Sequence, residues 1–174
     1  MRPYILAILF LLPASAHALD CTPFRSWTCS QAGFFDYMDG QPGEVVCGVD
    51  YTGWTLHVVE LTTTQAGYVQ FSGISALISG THVNTVIMLM DDCAAGTCLA
   101  SAQGPDMVDL GVCLEAGTHT FVVASQTDLP TSIMNIGAAC ITCAQAQSWG
   151  ISCPACDAVA DEGAAWGTLK TLYR

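Results

Sequence analysis

Apolar positions recur along this chain in short runs separated by turn formers, and their spacing is that of strands rather than helices. Trp54-Thr55-Leu56-His57-Val58-Val59 alternates at first and then turns apolar on both sides. Tyr68-Val69-Gln70-Phe71 follows the punctuation of Ala66-Gly67, and Thr85 to Met90 is apolar on both faces, as a central strand would be. Met107 to Leu114, Thr118 to Ser125 and Ser132 to Ile136 complete the set, with no helical stripe between them. The pattern predicts an all-β domain, an antiparallel β-sandwich of jelly-roll or Greek-key type rather than a closed barrel. Strand order is left open by the pattern.

The flanks read differently. Asp20 to Gly43 holds turn formers and the aromatics Phe24, Trp27, Phe34, Phe35 and Tyr37 without periodicity, and is expected to pack irregularly across one edge or end. At the N-terminus, Arg2 precedes the apolar run Ile5 to Leu12, Pro13 breaks it, and small residues follow. That is the layout of a secretory signal peptide, with cleavage after Ala16-His17-Ala18, or two residues earlier after Ala14-Ser15-Ala16. Cys21 sits near a lipidation position, but Asp20 occupies the preceding site where a small neutral residue is expected. No later run is long and apolar enough to span a bilayer. The expected organisation is a signal segment over 1–18, a lead-in over 19–43, a sandwich over 44–143 and a cysteine-containing extension and tail over 144–174.

All ten cysteines follow the signal segment: Cys21, Cys29, Cys47, Cys93, Cys98, Cys113, Cys140, Cys143, Cys153 and Cys156. An even number in an exported chain is read as a disulfide framework whose connectivity spacing does not fix. Cys93 with Cys98, closing a short Ala94-Ala95-Gly96-Thr97 loop, is the one pair spacing favours; Cys21 with Cys29 is a weaker local choice. Cys140-Ile141-Thr142-Cys143 and Cys153-Pro154-Ala155-Cys156 would suggest four-thiolate zinc in a cytosolic protein. Export favours disulfides instead, and no βαβ context supports thioredoxin-like chemistry.

The formal net charge is −11, and loss of Arg2 with the signal makes the remainder one unit more negative. The imbalance comes from scarcity of Lys and Arg rather than abundance of carboxylates. Such a surface is a poor match for nucleic acid.

The strand at Thr85, the Asp91-Asp92-Cys93 turn and Leu114-Glu115-Ala116-Gly117-Thr118-His119-Thr120-Phe121-Val122-Val123 together resemble the bacterial pre-peptidase C-terminal domains. The likeness covers roughly 43–140. It implies a small extracellular sandwich of the kind appended to secreted proteases and surface proteins. Two positions depart from the family pattern. Ser132-Ile133-Met134-Asn135-Ile136 lacks the aromatic usual in the last strand, and His119 stands where an aromatic is expected.

Chemical motifs are sparse. Gly73-Ile74-Ser75-Ala76-Leu77 lacks the second glycine of a nucleophile elbow, and no His-Glu-x-x-His or Gly-rich phosphate loop is present. His57, His82 and His119 are scattered, and a triad needs only to meet in space. Asp91 and Asp92, with Asp106 and Asp109 beyond the following loop, form a candidate calcium constellation, because that cation takes several oxygen ligands. Aspartate is equally a turn former that caps its own loop, and the regular calcium-loop spacing is absent. No other cofactor is indicated. Trp27, Trp54 and Trp149 are the candidate ligand contacts. The expected function is a secreted or cell-surface, non-catalytic module contacting an extracellular polymer, glycan or protein. A small secreted hydrolase or redox protein is the alternative. The final Trp166 to Arg174 segment reads either as a sorting or docking tag or as an amphipathic tail laid against the domain.

Overall fold

The computed structural model describes residues 19–36, 40–77, 79–126 and 132–156. The expected signal segment and the expected Trp166–Arg174 tail lie outside them, as does Tyr37. In chain order the strands are β1 (Arg25–Thr28), β2 (Gln31–Asp36), β3 (Gln41–Pro42), β4 (Val45–Val46), β5 (Val49–Asp50), β6 (Thr55–Thr63) and β7 (Gly67–Leu77). They continue as β8 (His82–Val83), β9 (Thr85–Asp92), β10 (Thr97–Gly104), β11 (Val108–Leu114), β12 (Gly117–Ser125) and β13 (Ser132–Thr142), and end in the short helix α1 (Cys143–Ser148).

These strands build two stacked sheets and a separate two-stranded ribbon, β4 with β5. The first, sheet A, runs β1-β6-β12-β9-β10, with β3 also on β6; the second, sheet B, runs β11-β7-β13-β2, with β8 also on β7. Pairing is antiparallel except for β1 on β6, which is parallel. Most successive long strands change sheet, so apart from the β9–β10 hairpin the long neighbouring strands are brought together from distant parts of the sequence. The predicted sandwich is thus present, and Thr85 to Met90 is an interior strand between β12 and β10.

Side-chain alternation explains how the faces divide. On β7 the residues alternate between buried and half-buried along its length, as the period of two requires for a sheet with one face in a core. Val69 and Phe71 point inward to meet Val59, Leu61, Ile87, Leu89, Phe121, Val123, Leu110, Met134 and Ile136 in the core between the sheets. Phe71 stacks on Phe121 with ring centroids 4.3 Å apart.

On β9, by contrast, both faces are buried from Thr85 to Met90. The outward residues Val86, Met88 and Met90 join Leu56, Val58, Val122 and Ala124 in a second apolar cluster on the outer side of sheet A. Leu19, Val46 and Tyr51 cover that cluster, with Trp54 edge-on to Tyr51 at 5.2 Å. Burial pushes the Tyr51 phenol above its ordinary pKa.

The lead-in departs from expectation. Arg25–Thr28 and Gln31–Asp36 were predicted as irregular and are strands, one in each sheet, because Trp27 supplies an inward anchor on Phe71 and β2 completes the ladder of β13. The strand β10 was not anticipated either: Thr97-Cys98-Leu99-Ala100-Ser101-Ala102-Gln103-Gly104 is small and polar, and pairing with β9, not propensity, makes it a strand.

All ten cysteines are bonded: Cys21–Cys93, Cys29–Cys140, Cys47–Cys98, Cys113–Cys153 and Cys143–Cys156. The expected Cys93–Cys98 and Cys21–Cys29 pairs do not form. Asp92 and Thr97 close the β9–β10 turn as ladder partners, and the two cysteines beside them reach instead to the covering segment, Cys93 to Cys21 and Cys98 to Cys47. Neither Cys-x-x-Cys pair bonds internally, and none of their four sulfurs is left as a thiolate for zinc. Among the described residues no helix is long and apolar enough to cross a membrane.

Candidate ligand-binding face

Among the described residues, the outer side of sheet B has no counterpart to the cover on sheet A. Register places Cys113, Tyr68 and Ile141 in one row, then Gly111, Gln70 and Ala139, then Asp109, Ser72 and Gly137. Below them lie Ile74 beside Asn135, and Ala76 beside Ile133. Every one of these residues is half-buried or exposed.

The chemistry of the face is set by its small residues. Gly111 has no side chain where Tyr68 leans across from the neighbouring strand: the phenol oxygen and the adjoining ring carbons of Tyr68 occupy the space a Gly111 Cβ would need. The ring therefore lies down along the sheet rather than standing out from it, a glycine covered by an aromatic of the next strand. Gly137 and Ala139 keep the neighbouring floor low. Polar groups flank it, with the Ser72 hydroxyl donating to the Asp109 carboxylate at 2.5 Å, and Gln70 and Asn135 on either side. A flat aromatic with amide, hydroxyl and carboxylate groups beside it can stack on an apolar ring face and hydrogen-bond its hydroxyls.

The Tyr68 end of this face is bounded by the C-terminal appendage. Cys113, opposite Tyr68, is bonded to Cys153, and α1 starts directly after Thr142. A capping box fixes that start: the Thr142 hydroxyl accepts the Gln145 amide and the Gln145 side chain accepts the Thr142 amide. Cys143–Cys156 holds the helix to the segment that follows it.

Of the three tryptophans expected to touch ligand, only Trp149 is well exposed, at 64%, just past α1. Trp27 is a core residue, 8% exposed and stacked on Phe71, since it lies on the inward parity of β1. Trp54 is half-buried in the cover of sheet A. Tyr68, Gln70 and Asn135 were missed by sequence reading. The signal available was the polar half of the Tyr68-Val69-Gln70-Phe71 alternation, which names an exposed face but not what lies beside it.

The four aspartates do not converge. Asp92 pairs with Thr97 at one end of the β9–β10 ladder, whereas Gly104 pairs with Thr85 at the other and Asp106 follows it. At about 3.3 Å per residue this separates Asp92 from Asp106 by roughly 20 Å. Asp109 is on sheet B with Ser72. Asp92 accepts the Ala95 amide at 3.0 Å, so it caps its own turn, and Asp106 meets His82 Nδ1 at 2.8 Å. No group of three or more His, Cys, Asp or Glu suited to a metal ion exists among the described residues.

A second concavity, of about 380 Å³, opens at the edge of sheet A between the first described residues and β6. Asp20, Thr22, Phe24, Gln41 and His57 are among the residues lining it. Asp20 Oδ1 accepts the Thr22 amide at 2.9 Å, and hydrogen bonding to Thr22 holds this exposed carboxyl below its ordinary pKa. His57 is 2% exposed, with Phe24 edge-on at 6.2 Å. His82 and His119 are elsewhere: His82 on Asp106, and His119 Nε2 within 3.0 Å of the Glu115 carbonyl.

No protein-family model matches the sequence, and no curated protein does. Solved structures do. One is the pre-peptidase C-terminal domain of a collagenase from Bacillus anthracis, at 10% identity and a TM-score of 0.43, covering 66% of this chain and 92% of that one. It represents the family to which the strand and turn pattern pointed. A carbohydrate-binding module of family 6 from a Zobellia galactanivorans laminarinase matches at 14% identity and a TM-score of 0.33, over 62% of this chain and 99% of that one. A family 35 module from Cellvibrio japonicus matches at 16% and 0.31, over 65% and 99%. Against a Streptomyces venezuelae β-glucosidase the chain spans 12% of the longer protein.

Proposed function

We propose that the protein is an exported, non-catalytic binding module and that the outer face of sheet B receives an extracellular glycan. The observation that carries this reading is the asymmetry of the two outer faces. One is buried under a disulfide-anchored cover, and the other is open and presents Tyr68 flat beside Gln70, Ser72, Asp109 and Asn135. Arg25 is the one Lys or Arg between residues 19 and 156, while carboxylates recur throughout, so a neutral glycan fits and a sulfated or uronic one is repelled. Five disulfides suit the oxidising compartment such a ligand occupies.

The test is a panel of neutral polysaccharides in affinity gels, followed by calorimetry on whichever is retained. Tyr68→Ala should weaken binding at least tenfold without lowering Tm. Gly111→Ala should do much the same by pushing the ring off its seat. Binding that survives both changes but is lost in Trp149→Ala would move the site to the C-terminal appendage.

The hydrolase alternative rests on the cleft that Asp20, Thr22 and His57 help to line. Turnover of activated esters that disappears in His57→Gln, with the fold intact, would replace the module reading.

A further inference from the structure

Four strands end the two sheets: β1 and β10 in sheet A, β11 and β2 in sheet B. An edge strand offers unpaired backbone N–H and C=O groups on its outer side, and proteins that stay unpaired there protect them with charge, proline or shortness. Three of the four edges carry a charged residue: Arg25 in β1, Asp109 in β11 and Asp36 in β2. The fourth, β10, has none, and its eight residues include no proline. It pairs with β9 alone, and none of its residues makes another backbone hydrogen bond among the described residues. Two register shifts distort it between Thr97 and Ala100, so the regular stretch is Ala100-Ser101-Ala102-Gln103-Gly104. Leu99 and Met107, each 64% exposed, stand at the two ends of that stretch.

We infer that the β10 edge is a β-augmentation site for an extended segment of a partner protein whose uncharged centre is flanked by basic residues. Backbone pairing along Ala100 to Gly104 supplies the register, and Leu99 and Met107 supply apolar contacts at its ends. Charge selects the occupant. Asp91 and Asp92 lie at one end of the β9–β10 hairpin and Asp106 at the other, so a strand laid along β10 has carboxylates near both of its termini. A second copy fits badly, since antiparallel β10–β10 pairing would set the Asp91-Asp92 end of each copy beside the Asp106 end of the other. A segment with lysine or arginine at both ends meets complementary charge. This interaction is independent of the glycan face, which belongs to the other sheet.

The probe is a synthetic nonapeptide of alternating valine and threonine with two lysines at each end, titrated into the full exported chain with its disulfides intact. Two controls accompany it, one with glutamates for the lysines and one N-methylated at alternate backbone nitrogens. The lysine peptide should bind at least tenfold more tightly than either control, and protection from amide exchange should appear in β10. Because alternate residues of an edge strand turn their N–H outward, one of the adjacent pair Ser101→Pro and Ala102→Pro should keep the wild-type Tm while weakening the peptide at least tenfold, and the other, which loses a bond to β9, should lower Tm. If both proline variants unfold, Leu99→Lys with Gln103→Lys serves instead and should repel the lysine peptide by a similar factor. Equal binding of the N-methylated peptide would overturn the inference, since attraction to carboxylates alone does not need backbone donors. Absence of binding by the lysine peptide would overturn it too. So would wild-type dimers that dissociate in the edge variants, which would make a second copy the occupant.

Discussion

The outer faces of the two sheets carry similar strands and meet opposite fates. Behind sheet A, Leu56, Val58, Val86, Met88, Val122 and Ala124 are all at most 2% exposed, because two stretches on either side of β1 and β2, around Leu19 and around Val46 to Tyr51, fold over them and are bonded to the β9–β10 hairpin by Cys21–Cys93 and Cys47–Cys98. Behind sheet B, the same strand parity yields Tyr68, Gln70, Ser72 and Asn135, and no described segment lies across the middle of the face. The difference teaches that the outward residues choose the face that becomes core, apolar on sheet A and largely polar or small on sheet B, while the disulfides hold the cover on the apolar one. In a domain of this size a second apolar cluster adds burial that one inter-sheet core supplies only in part.

Breaking the cover should have the largest effect. Replacing Cys21 and Cys93, or Cys47 and Cys98, with serine opens loops of 72 and 51 residues, against 13 for Cys143–Cys156. Chain-entropy reasoning assigns about 4 kcal/mol to each longer bridge and about 3 kcal/mol to the shortest. Urea titrations should rank them in that order, and only the first two variants should expose a surface that binds a hydrophobic dye.

Truncations on the two faces should separate next. Leu56→Ala, fully buried behind sheet A, should cost about 2–5 kcal/mol. Ile133→Ala on the open face, 47% exposed, should cost about 1 kcal/mol or less. Equal costs in denaturant melts would mean that the sheet B face is covered after all.

Alkaline pH sharpens the comparison further. A phenol whose folded pKa is raised contributes stability that is complete below the ordinary tyrosine value of about 10 and is lost as pH rises through the folded value. Tyr51, in the cover of sheet A, should therefore make melting temperatures fall above that pH, and Tyr51→Phe should flatten the fall. Calcium should have the smallest effect. With Asp91 and Asp92 at the far end of the hairpin from Asp106, millimolar calcium should leave the melting temperature of chelator-treated protein unchanged.

Much of the architecture follows from residue order alone. Alternation in Tyr68 to Phe71 and the doubly apolar run Thr85 to Met90 dictate strands and identify an interior one, because the two-residue period is a local property of the backbone. The even cysteine count pointed to a full disulfide framework, and all ten cysteines are paired. Which cysteine meets which depended on the tertiary fold: Cys93 and Cys98 are near in sequence, yet one bonds Cys21 before β1 and the other Cys47 after β2. The same holds for the aspartates, whose closeness in sequence is undone by a hairpin that carries them to opposite ends. Trp27 shows the point for a single side chain, since an aromatic suited to a ligand and one suited to a core are identical until strand parity turns it inward. Tyr68 shows the converse. Its place on the open face needed Gly111 beside it, and that neighbour comes from a strand 43 residues away in the chain, a contact that only the tertiary fold creates.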